Sequence, residues 1–122
     1  MVERTAPLVK SVNDIVNSDH YSKDDQAASA TLVQAGPTIL LGYEIHNTTG
    51  SDAFLQLFNA AAASDVTVGT TTADYIVPNS ANGIAQGGYN KGLSFKLGLV
   101  IASTTATDGS SGAAQDINFE FA

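Results

Sequence analysis

Between Ile39 and Phe58 the chain reads ILLGYEIHNTTGSDAFLQLF, two runs in which apolar residues recur at every second position on either side of a polar segment. A period of two belongs to an extended strand, whose side chains point alternately to opposite faces, whereas a helix needs a period of about 3.6. In the first run Ile39, Leu41, Tyr43 and Ile45 fall on one face, with Leu40, Gly42, Glu44 and His46 on the other. In the second, Ala53, Leu55 and Leu57 alternate with Phe54, Gln56 and Phe58. The connection Thr48-Thr49-Gly50-Ser51-Asp52 predicts a hairpin loop between them. The rest of the chain is then expected to cover or extend this pair.

The same period returns in Leu93, Phe95, Leu97, Leu99 and Ile101, which predicts one long core strand. Its alternate positions become small or apolar after Lys96, so its second half is expected to be covered on both faces. Shorter strands are predicted at Ala30–Ala35, Val66–Val68, Tyr75–Val77 and Ile84–Gln86, and at the end, where Ile117, Phe119 and Phe121 alternate with Asn118 and Glu120. Gly36-Pro37, Pro78, Asn82-Gly83 and Gly87-Gly88 punctuate them as turns. The alanines 60–63 make barely one helical turn, and short helices are marginal alone, so they read as a compact connection. The predicted fold is all-β, an antiparallel β-sandwich or jelly roll, between whose strand orders the sequence pattern does not distinguish. Ile39, Leu41, Tyr43, Ile45, Leu55, Leu57, Leu97, Leu99 and Phe119 are its expected core, and Leu97→Ala is expected to be a core truncation.

Residues 1–27 differ from the rest, holding eight of the seventeen charged residues. They are read as an N-terminal arm preceding a sandwich domain of residues 28–122. Pro7 and the cluster Asn17-Ser18-Asp19 limit the arm to short elements. One reading is a free terminus. The other is docking on its own domain or on a neighbouring subunit, for which Leu8, Val9, Val12, Ile15 and Val16 supply an apolar surface unlike that of a solvated tail. On the sandwich itself Leu40, Phe54 and Phe58 lie off the main inward face and need cover. These features predict a homo-oligomer, dimer or trimer, with the arm aliphatics, Phe54 and Phe58 as its protein-interface residues.

The formal charge of −7 argues against nucleic acid and anionic membranes as partners. Met1-Val2-Glu3-Arg4 lacks the basic start and apolar run of a signal peptide, so synthesis in a cytoplasm is expected. Absence of cysteine removes disulfides and thiolate metal sites. His20 stands near Asp19, Asp24 and Asp25, but the spacing matches no cation loop and reads as a solvated cluster. His46, on the face of Glu44, reads as half of a surface pair. Neither histidine accompanies a nucleophile motif, and Gly87-Gly88-Tyr89-Asn90-Lys91-Gly92 lacks the spacing of a phosphate loop. Tyr43, Tyr75 and Tyr89 suggest a sugar-stacking platform, yet they lie on separate segments and read as core or rim packing. No catalytic residue, cofactor or metal ligand is assigned, and a non-enzyme is expected.

The blocks GYEIHNTTGSDAFLQLFNA (42–60), DVTVGTTTADYIVP (65–78) and KGLSFKLGLVIASTTATDGSSG (91–112) resemble a family of small phage-encoded β-sandwich proteins associated with virions. The likeness runs from about residue 30 to 122, and the arm falls outside it. It implies a structural role on a phage particle, as a capsid decoration (cement) protein bound to the major capsid protein at the outer surface of the shell. The resemblance also leaves open a tail, baseplate or head-fibre module. A carbohydrate- or receptor-binding module built on the tyrosines and residues 79–92 is the alternative of a different class.

Overall fold

The alternating pattern becomes eight strands in the computed structural model of the chain, which describes residues 18–122. They are β1 (Asp19–Gln26), β2 (Thr31–Ala35), β3 (Thr38–Asn47), β4 (Ala53–Asn59), β5 (Tyr75–Asn79), β6 (Ile84–Phe95), β7 (Gly98–Thr104) and β8 (Gln115–Phe121), with a short 3₁₀ turn at Ala63–Asp65. Two four-stranded sheets form, in the orders β1-β8-β3-β6 and β2-β7-β4-β5. Every pairing is antiparallel. The first strand therefore lies beside the last, the second beside the seventh, the third beside the sixth and the fourth beside the fifth. One long antiparallel ribbon folded over on itself gives that order, which is a jelly roll.

The main core lies between the sheets. Leu40, Ile45, Phe95, Ile117, Phe119 and Phe121 from the first sheet meet Leu55, Leu57, Val77, Leu99 and Ile101 from the second. Each such side chain stabilises the fold by about 1.5–3 kcal/mol on leaving water. A second cluster covers the outer face of the second sheet. There Phe58, Val100 and Ala102 are sealed by Ala60 and Val66 of the β4–β5 connection, with Val68 and Ala73 packed against them. As its small alternate residues suggest, β7 is buried on both faces along its whole length.

The structure corrects several of the sequence expectations. β3 and β4 are not paired: residues 48–52 carry the chain from one sheet to the other, and the two strands face each other across the core. The expected long strand is two strands. Lys96 and Leu97 form the crossing between β6 in one sheet and β7 in the other, and two intervening residues preserve the odd–even phase. Leu97 consequently sits on the turn, 56% exposed, and not in the core.

In β3 a bulge changes the phase itself. Leu40 opposes Phe121 and Gly42 opposes Glu120, so two residues of β3 are passed while β8 advances by one. An inserted residue exchanges the faces on one side of it. Leu40 and Ile45 are thereby fully buried, Leu41 is half-buried, and Ile39 is 38% exposed on the outside. Gly87-Gly88, expected as a turn, lies inside β6, and Val66–Val68 forms no strand.

The boundary of the arm also moves. Residues 19–26, assigned to it on their charge, form β1 and pair with β8 from Asp19↔Phe121 to Gln26↔Gln115. β1 is an edge strand, and the charged side chains along it, on both of its faces, discourage pairing with further chains. Leu8, Val9, Val12, Ile15 and Val16 lie outside the described residues.

Candidate functional site

The two ends of the sandwich are built differently. At one end lie the connections 27–30, 48–52, 80–83 and 105–114, bound together by buried amides. The Asn47 amide donates to the carbonyls of Ser51, Asn79 and Ser80 at 2.7, 3.2 and 3.0 Å, and its Oδ1 accepts from the backbone and hydroxyl of Thr49. Asn79 donates to the Ile45 carbonyl and to Gln115 Oε1, both at 3.1 Å, and Gln115 in turn donates to Ser103 Oγ at 2.9 Å. Such a satisfied network holds loops in one arrangement, because each buried group left unpaired would be costly. Gln26 donates to Ala27, Ser29 and Thr31 around the β1–β2 turn, leaving its buried Oε1 without a protein partner.

At the other end are Asp19, Phe121, the Gly36-Pro37 connection and the Lys96-Leu97 turn. The exposed Leu97 is held firmly there. Its backbone N–H donates to Asn59 Oδ1 at 2.8 Å, and its carbonyl accepts from Gly36 at 2.9 Å. Gly98 behind it has φ +147°, and a Cβ there would stand 2.5 Å from the Ala60 carbonyl and 2.7 Å from that of Gln34. Ile39 lies at the same end on the outer face of the first sheet, beside Ala122, with which it exchanges two backbone hydrogen bonds of 2.8 Å. A large apolar side chain is thus displayed on an immobilised turn. Sequence reading missed it because the alternation passes through the turn unbroken.

The expected interface residues divide. Phe58 is 1% exposed beneath its own β4–β5 connection, so its ring needs no partner. Phe54 remains half-buried on the same face, beside a shallow hollow of about 310 Å³ lined also by Asp52, Pro78, Asn79 and Ser80.

The three tyrosines converge, although they come from three strands. Tyr89 lies 6.1 Å from Tyr43 and 6.0 Å from Tyr75 between ring centres, tilted to the first and edge-on to the second. They fill the gap between β5 and β6, the edge strands on one side of the sandwich. Gly87 makes room, since a Cβ there would touch the Tyr43 ring and hydroxyl. Burial first, and then the neighbouring Tyr75 and Tyr43 phenols, push the Tyr89 hydroxyl well above its ordinary range. Tyr75 keeps 40% of its surface exposed. The cluster is rim packing with one accessible ring.

On the outer face of the first sheet His46 lies 3.5 Å from Glu44, and His20 lies 3.9 Å from Glu120, all four well exposed. Gly42 between them leaves a shallow hollow of about 310 Å³. Exposed pairs of this kind contribute little to stability. Among the described residues no group of three or more His, Cys, Asp or Glu side chains is placed to hold a metal ion. Comparison with protein-family models, curated proteins and solved structures finds no match to this chain.

Proposed function

We propose that the protein is a structural component of a phage particle, a decoration protein that binds the major capsid protein and stabilises the shell. The jelly-roll strand order carries this reading most directly, since capsid proteins and lectins are recurrent users of that architecture. This is support by analogy of fold, and one fold hosts many functions. The blocks 42–60, 65–78 and 91–112 that resemble phage virion proteins add to it. Binding to a shell asks for a stable body and an apolar anchor, and needs no reactive constellation. The test is co-sedimentation of the purified chain with DNA-filled heads, against tails of the same phage as the control; recovery on tails alone would favour the tail or baseplate module.

The tyrosine cluster favours a second reading, a carbohydrate-binding module, because jelly rolls also serve as lectins and Tyr75 offers an accessible ring. Tyr75→Ala would then abolish retention on a glycan array while leaving the fold intact. Retention unchanged by that substitution, or none to begin with, would remove this reading.

A further inference from the structure

We propose that the end of the sandwich carrying Leu97 and Ile39 is an interface between copies of this chain, closed by the N-terminal segment of a second copy. The acceptor is described above: a leucine on a turn fixed by Asn59, Gly36 and Gly98, with a half-exposed isoleucine on the neighbouring strand. The donor is identified by where the described chain begins. Residues 1–17 precede Asp19, which is in register with Phe121 at this same end. They hold Leu8, Val9, Val12, Ile15 and Val16. Each copy thus has an apolar acceptor at the end from which its residues 1–17 depart, so two copies related by a twofold axis can satisfy each other with no third component.

Charge favours this occupant over a contact between bare domains. Residues 18–122 hold three basic and ten acidic side chains, so two domains repel. Residues 1–17 hold Glu3 and Asp14 against Arg4 and Lys10, a net charge of zero, and can approach another copy without that cost. Reach is no obstacle, since 17 residues span up to about 55 Å, while β1 and β6 stand about 14 Å apart, three strand spacings. The inference needs only this chain and does not depend on binding to a capsid.

The experiment is sedimentation velocity on the full chain and on two variants, Leu97→Asp and the pair Val12→Asp with Ile15→Asp. Leu97 is exposed and residues 12 and 15 precede the sandwich, so unchanged circular dichroism is expected for both. The unaltered chain is expected to sediment as a dimer, and each variant as a monomer with association weakened about thirty-fold or more. Mixing the variants is expected to restore part of the dimer, because one supplies an intact segment and the other an intact acceptor. Three results would overturn the proposal: an unaltered chain that stays monomeric, as it would if residues 1–17 covered their own domain; variants that remain dimeric; or variants that fail to complement each other. Dimers without affinity for heads would overturn only the decoration reading.

Discussion

Leu97 and Leu99 stand two positions apart in one alternating run and have opposite fates, the first exposed on a turn and the second fully buried between the sheets. Leu99→Ala is expected to lower stability by about 2–5 kcal/mol, and Leu97→Ala by no more than about 0.5 kcal/mol, both read from urea denaturation. Between them Gly98 has a conformation and a close approach that only glycine tolerates, so Gly98→Ala is expected to cost about 1–3 kcal/mol. Equal losses at 97 and 99 would mean that the crossing between sheets is misplaced. At Tyr89 the expectation concerns pH. The phenol is uncharged when protonated, and its folded value is raised above the ordinary 10.0. Its contribution is therefore complete below that value and is lost as pH rises through the folded one. The denaturation midpoint should hold up to about pH 10 and fall above it, and Tyr89→Phe should flatten that fall; Tyr21, also raised by burial, acts in the same direction. None of this contact between tyrosines was legible in the sequence, where residues 43, 75 and 89 are separated by whole strands.

At the scale of elements, period two identified strands reliably and their partners poorly. The inward positions of β4 and β8 follow the alternation, and so do both faces of β7. Pairing is decided by which sheet each strand joins, and the segment 48–52 that looked like a hairpin loop is a crossing between sheets. The bulge at Leu41 was hidden for a similar reason, since an extra residue alters phase without altering composition. β1 was concealed by its charges, which are tolerated because it is an edge strand. Its place in the sheet leads to a sharp expectation. A chain starting at Ser18 keeps every described strand and should still melt cooperatively, lowered only by the loss of dimer contacts, whereas one starting at Ala27 loses β1 and exposes the edge of β8. The shorter chain should be largely unfolded or aggregated in a thermal melt, and cooperative melting at an unchanged temperature would show that β1 is an appendage after all.

The two ends of the molecule are built differently, and each displays an exposed aliphatic side chain, Ile84 at one and Leu97 at the other. One end is a set of loops bound by Asn47, Asn79 and Gln115, and the other gathers Leu97, Ile39 and the start and finish of the described chain. The architecture was legible because eight short alternating strands leave few other solutions. The candidate surfaces were only partly so, because exposure depends on which connection covers which face: Phe58 is covered by its own chain, whereas Leu97 is left outside. A decoration protein would meet the shell through the end that carries Leu97 and Ile39, as a pair of copies. The most direct measurement adds the purified chain in excess to DNA-filled heads lacking it and separates them on a density gradient. Saturable recovery in the head fraction, reduced by Leu97→Asp, is the expected result; protein that stays at the top of the gradient at every concentration, with the heads no more stable to heat than before, would contradict it.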